Sequence, residues 1–183
     1  MRCLKNWLSA TLAIALMAST AAAADTVAGG KIKSINADNK TFVLTDSVNK
    51  DFTFKIGDNL IVNRGGKESR SDLKAGDVIN VGYKKGIIFW TAHYILVQEG
   101  ATKNCELIRG NVKGYDAEKK ELTFTNTDEI KKDSTYSVGK AMVRLNMEDA
   151  KVESIRIGDH VLIIVDTVDG KSTLRSVMIE RAK

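Results

Sequence analysis

One phrase is written twice in this chain. "LKAGDVINV" at 73–81 and "IRIGDHVLIIV" at 155–165 each run from an apolar and basic lead through Gly-Asp into a β-branched stretch, with Gly76 and Gly158 82 residues apart. The likeness extends in both directions. "GKIKSINADNKTFVLT" (30–45) lies over "GNVKGYDAEKKELTFT" (110–125), "FKIG" (54–57) over "YSVG" (136–139), and "TAHYILV" (91–97) over "RSVMIER" (175–181). The offset grows from 80 to 82 to 84, as short loop insertions would make it do. An internal period of this size bounds the architecture before any local signal does. The expectation is a tandem duplication, with copies at 25–100 and 101–183 joined by the polar stretch "QEGATKN".

Within each copy the hydrophobic period is two. Phe52, Phe54 and Ile56 alternate with Thr53 and Lys55, and Tyr136 and Val138 with Thr135 and Ser137, which gives strands with one buried and one wet face. "NADNK" and "DAEKK" read as hairpin turns. Six short strands per copy are expected, near 28–35, 41–46, 51–56, 60–62, 77–83 and 87–97 in the first. At most one turn of helix fits near 69–75 or 149–155. About 80 residues of short antiparallel strands are best arranged as a small closed barrel, because closure removes exposed edges. The fold class expected is all-β, two tandem small antiparallel barrels, OB-like or SH3-like in strand order. Gly76-Asp77 and Gly158-Asp159 then become tight turns into a central strand, Gly for positive φ and Asp for a side-chain hydrogen bond to the turn.

Residues 1–24 read as a cleavable export signal. Arg2 and Lys5 precede an apolar stretch from Trp7 to Ala18, and Ala22-Ala23-Ala24 supplies a small-residue cleavage site. Periplasmic or secreted localisation follows, with no stable membrane insertion after cleavage. Loss of the leader leaves 26 basic against 23 acidic side chains. That excess is too small, and too evenly mixed with acids, to predict a nucleic-acid partner. Cys3 leaves with the leader, so Cys105 has no intramolecular partner and no disulfide framework is expected.

The openings "G-x-I/V-x-x-I/Y-(N/D)", the central "L-K-A-G-D-V" and the late "A-x-x-I" (Ala92 to Ile95; Ser176 to Ile179) resemble secreted bacterial OB-like barrel repeats of unknown function. The resemblance implies a barrel in the cell envelope and no activity. A subset of small periplasmic OB barrels carries copper(I) through a His, a Trp and a Met-x-Met pair. Trp90 and His93 are close in sequence here, but Met142, Met147 and Met178 lie in the other copy and no Met-x-Met occurs, so no ligand carries over.

No catalytic, cofactor-binding or metal constellation is legible. His93 and His160 sit at non-equivalent repeat positions without neighbouring ligands, whereas a metal needs three or four convergent donors. "RGGKES" (64–69) lacks phosphate-loop spacing and reads as a flexible Gly turn. The most unusual stretch is "YKKGIIFWTAHY" (83–94), which holds four of the ten aromatics beyond the leader. Strict alternation puts Ile88, Trp90, Ala92 and Tyr94 on one face and Ile87, Phe89, Thr91 and His93 on the other. Both faces are apolar, which makes Tyr83, Phe89, Trp90, His93 and Tyr94 candidates for an interdomain or ligand contact, with Trp90 chiefly at the seam between copies. The expected function is a non-catalytic exported module that binds or scaffolds, its partner a glycan, peptide or envelope protein. The alternative is copper or zinc handling. Protein from its native envelope should begin at Asp25 by mass spectrometry; an intact Met1 would refute the exported reading.

Overall fold

The computed structural model describes residues 26–128 and 132–181; the leader at 1–24 and its cleavage site lie outside them. Strands β1 (Thr26–Asn36), β2 (Thr41–Thr45), β3 (Asp51–Arg64), β4 (Lys67–Ser69), β5 (Val78–Lys85) and β6 (Trp90–Val97) form one sheet. A second sheet holds β7 (Cys105–Asp116), β8 (Glu121–Asn126), β9 (Asp133–Ser137), β10 (Met142–Leu145), β11 (Glu148–Ala150), β12 (His160–Val168) and β13 (Lys171–Glu180). In the first, β2 pairs with both β1 and β3, so the circuit β1-β2-β3-β6-β5 closes on β1, with β3 and β6 parallel. That circuit is the OB-type barrel. The second closes through β7-β8-β9-β13-β12, with β9 and β13 parallel.

The expected segment boundaries shift in three places. Segments 51–56 and 60–62 are one bent strand, β3, whereas the second barrel breaks it into β9 and β10. The last strand starts at Trp90, because 86–89 is its turn. "RGGKES" is a built hairpin: Gly65 (φ +60°) and Gly66 (φ +85°) turn β3 into β4, and Asn146 (φ +51°) and Met147 (φ +72°) do the same between β10 and β11. The left-handed residue of the "NADNK" and "DAEKK" turns is lysine, Lys40 (φ +49°) and Lys120 (φ +53°). Asn36 and Asp116 instead accept backbone N–H bonds there.

Each barrel has its own core. Ile32, Phe42, Leu44, Phe54, Val81 and Ile95 fill the first, with Phe42 stacked on Phe54 at 5.2 Å; Val112, Leu122, Phe124, Ile163, Leu174 and Val177 fill the second. The Gly-Asp turns bind each core to its ladder. Gly76 (φ +94°) donates its N–H to Ile32 and Gly158 (φ +88°) to Val112. The Asp77 carboxylate accepts from the Lys74 N–H at 2.8 Å, and Asp159 from the Arg156 N–H at 2.7 Å. Each carboxylate also takes an arginine, from different places. Arg64, ending β3, reaches Asp77 at 2.6 Å, while Arg181, just past β13, reaches Asp159 at 2.6 Å.

The two sheets meet along a third apolar cluster. Ile61, Tyr94 and Leu96 of the first barrel pack with Cys105, Leu107, Leu162, Ile164 and Met178 of the second. Arg144 reaches Glu68 across the seam at 2.6 Å, and Lys84 pairs with Glu180. The connecting stretch, 98–104 as expected, is better fixed than a polar linker and carries a 3-10 turn at Gly100–Thr102. Thr102 is buried, its hydroxyl donating to the Val97 carbonyl and accepting from the Gly65 N–H. Cys105 is also fully buried, and burial first of all pushes its thiol above the usual range. It is positioned for packing, and not for an intermolecular bridge.

Burial alone would raise the Asp159 carboxyl, but hydrogen bonds from Arg181 and the Arg156 N–H outweigh it and hold the group below its ordinary value. A carboxylate held low contributes stability above its unfolded pKa of about 3.9 and loses it as pH falls through the lower folded value. Asp159→Asn should therefore cost about 1.5–3 kcal/mol near neutrality, in the range of hydrogen bonds to charged groups. The deficit should shrink as the pH of a urea titration is lowered toward about 2. A deficit independent of pH would deny the ion pair this role.

Candidate functional site

The site is the end of the first barrel, where β5 turns into β6. Lys85 opposes Trp90 as the last pair of that ladder. The loop Gly86-Ile87-Ile88-Phe89 is closed by a 3.0 Å bond from the Gly86 N–H to the Phe89 carbonyl. A β-carbon on Gly86 would lie 2.6 Å from that same oxygen, so the turn needs glycine there. The tip is apolar and in water. Ile87, Ile88 and Phe89 are 106%, 81% and 53% exposed, where the other exposed large apolar side chains among the described residues stand singly.

Behind the tip lies an aromatic shelf. Trp90, half-buried, stacks on Phe52 at 5.4 Å and on Tyr83 at 5.2 Å and tilts against Phe54 at 5.8 Å. Offset stacking of this kind adds to what area burial contributes. Lys85 Nζ stands 5.6 Å from the Trp90 ring, and Lys50 Nζ 5.0 Å from Phe52. Burial raises the Tyr83 hydroxyl pKa, with Arg109 opposing and Asp128 assisting. The shelf is thus neutral and apolar, with ammonium groups at its edge.

Trp90 was expected at the seam between copies; the structure places it in its own barrel. The reason is a β-bulge. Along β6, Ala92 opposes Tyr83 and Tyr94 opposes Gly82, leaving His93 as the extra residue. The bulge reverses the alternation. Trp90 and Ala92 face the first core, as do Ile95 and Val97, while Tyr94 and Leu96 face the second barrel. Tyr94 is wholly buried at the seam. Its hydroxyl accepts from Asn63 at 3.1 Å and donates to Glu68 at 3.2 Å, and burial followed by the Glu68 charge pushes its pKa far up. His93 lies over Gly82 beside Leu162 and Leu107. The five candidate residues therefore divide: Tyr83, Phe89 and Trp90 gather at the barrel end, and His93 and Tyr94 at the seam.

The same bulge corrects the repeat register. In β13, Leu174 opposes Val165 and Ser176 opposes Ile164, which makes Arg175 the extra residue. The offset across the last strands is therefore 82 and not 84: Tyr94 corresponds to Ser176, and Trp90 to Ser172 instead of Leu174. Phe52 corresponds to Ser134, through the pairs Leu44↔Phe52 and Phe124↔Ser134. The loop Gly-Ile-Ile-Phe corresponds to Val-Asp-Gly-Lys (168–171), a two-residue turn on Asp169 (φ +49°) and Gly170 (φ +74°). Lys50, Phe52 and their place under the tip were missed from the sequence. The only available signal was Ser134 beneath Phe52 in the "FKIG" over "YSVG" alignment.

Among the described residues, no group of three or more His, Cys, Asp or Glu side chains could hold a metal ion. His93 is on β6, His160 begins β12 and Cys105 begins β7. No protein-family model matches the chain, and no curated protein does.

The described chain is an all-β protein of two OB-type barrels. Solved structures similar to it include silver(I)-bound CusF, 20% identical over 41% of this chain and 96% of that one, TM-score 0.33. A copper(II)-bound tryptophan variant of CusF from Escherichia coli is 17% identical over 45% and 100%, TM-score 0.34. Drosophila Unr CSD456 is 14% identical over 86% of this chain and 62% of that one, TM-score 0.29. The barrel assignment rests on the closed strand circuits themselves.

Trp90 is the sole tryptophan beyond the leader, so fluorescence reads this shelf alone. Trp90→Ala should cost about 2–4 kcal/mol in urea unfolding, slightly below full core truncations because the ring is half-buried. Phe52→Ala should shift Trp90 emission to the red, whereas Leu162→Ala at the seam should leave it unchanged. A red shift from Leu162→Ala would return Trp90 to the seam.

Proposed function

We propose that this chain is a non-catalytic exported module that acts by binding, with the β5–β6 end of the first barrel as its contact surface and the second barrel as its support. One observation carries the reading: the second barrel closes the same circuit with Ser172, Ser134 and the turn Asp169-Gly170 where the first has Trp90, Phe52 and Ile-Ile-Phe. The fold does not require those aromatic and apolar groups at that position. Large apolar side chains kept in water at one end of one barrel fit a surface that is covered in use. The Glu68–Arg144 and Lys84–Glu180 pairs and the seam cluster fit a rigid support. The composition of residues 1–24 supports export to the periplasm or beyond.

Metal handling, the rival reading, requires His93, His160, Cys105 or the methionines to converge; His160 and Met142 are exposed at the starts of β12 and β10, and His93, Cys105, Met147 and Met178 line the seam among apolar side chains. Equilibrium binding of copper(I), copper(II) and zinc to the mature chain separates the two. The binding-module reading expects no stoichiometric uptake below about 1 μM, a level a built site would exceed. Uptake at that level, abolished by His93→Ala, would overturn it.

A further inference from the structure

We propose that the Ile87-Ile88-Phe89 tip is a wedge by which the first barrel docks reversibly on an anionic lipid bilayer, an inference that rests on the binding-module reading above. Shape is the first argument. Ile87 is 106% exposed and Ile88 81%, so the tip is convex, and none of the described cavities is lined by residues 86–89. A small ligand needs concavity, which this surface does not offer.

Size is the second argument. Three side chains on a four-residue turn fall far short of the roughly 1,200–2,000 Å² that a stable protein interface buries. A peripheral membrane contact needs only a few apolar side chains sunk beneath the headgroups, helped by charge. Aromatic Trp90 stands directly behind the tip, at the depth where an amphipathic ring favours the interface.

Charge selects the lipid. Lys85 and Lys50 stand over the shelf behind the tip, while Lys84 turns to the seam. Glu180, the carboxylate nearest Lys84, is tied to it, and Asp128 is tied to Arg109 at 2.6 Å. Lys85 and Lys50 lie over rings, and among the described residues no ion pair to a carboxylate occupies them. The collar is therefore positive, complementary to phosphatidylglycerol-type headgroups. No helix among the described residues is long and apolar enough to cross a membrane, and the contact inferred is shallow and reversible.

The test is flotation of the mature chain with vesicles of phosphatidylethanolamine containing about 30 mol % phosphatidylglycerol, against vesicles of phosphatidylcholine alone. The chain should float with the anionic vesicles only, release in about 0.5 M salt, and show a blue shift of Trp90 on binding. The double variant Ile87→Ser with Ile88→Ser should lower the bound fraction about tenfold or more. Lys85→Glu should do so by weakening the salt-sensitive part. Val168→Ser at the equivalent turn of the second barrel should change nothing. All four positions face water, so urea midpoints of the variants should match the parent, which keeps a loss of binding from being a loss of fold. Absence of anionic-vesicle binding, or binding that survives the double variant, overturns the proposal. If a glycan or peptide array then shows binding that the double variant removes, the membrane inference falls and the module reading stands; if neither assay shows tip-dependent binding, both fall.

Discussion

A one-residue bulge in the last strand of each barrel decides where every side chain beyond it points. Before His93, inward residues of β6 are Trp90 and Ala92; after it they are Ile95 and Val97. The reversal frees Tyr94 and Leu96 to face outward, and Arg175 does the same for Ser176 and Met178 in β13. Without it, a strand of strict alternation would keep Tyr94 and Leu96 in the core with Trp90 and turn Ile95 and Val97 outward, so the seam would lose the Tyr94 hydroxyl that bonds Asn63 and Glu68. The seam, the burial of Tyr94 and the separation of Trp90 from the seam all descend from that inserted residue. A bulge costs a ladder hydrogen bond and is tolerated where it redirects a strand.

The seam couples apolar packing to a polar chain that reaches from Asn63 through Tyr94 and Glu68 to Arg144. Such a network within a largely dry interface fixes orientation as well as adhesion, because each group left without its partner would bear a desolvation cost. The apolar end of the first barrel is thereby joined to a second barrel whose described residues form no comparable apolar end.

Much of this was legible in the residues. The period of two, closure into small barrels and the Gly-Asp turns follow from patterns with a local physical cause. Closure is a property of strand pairing, so the OB order could not be chosen over an SH3 order from alternation alone. The bulge was illegible because "TAHYILV" alternates well enough on either register, and a one-residue slip exchanges the faces without altering composition. "RGGKES" concealed a hairpin because two glycines signal freedom and a primed turn equally well. The shelf was half seen: the aromatic run announced itself, whereas Phe52, thirty-eight residues before Trp90, came near only through the fold.

The arginines that serve the two turn aspartates come from unlike strands, and this bears on how the chain avoids tangling with itself. Repeats of similar sequence in one chain can exchange strands while folding and trap hybrid barrels. A hybrid of β1–β4 with β12–β13 would bring Arg64 and Arg181 to the single carboxylate of Asp159. The reciprocal hybrid, β7–β11 with β5–β6, would leave Asp77 with Leu145 where Arg64 belongs and Glu99 where Arg181 would be. One hybrid carries a surplus cation and the other an inward carboxylate with a second acid beside it. In the native pairing of halves Arg64 answers Asp77 together with Asp72 and Glu99, and Arg181 answers Asp159, so each turn aspartate meets one arginine supplied by its own half.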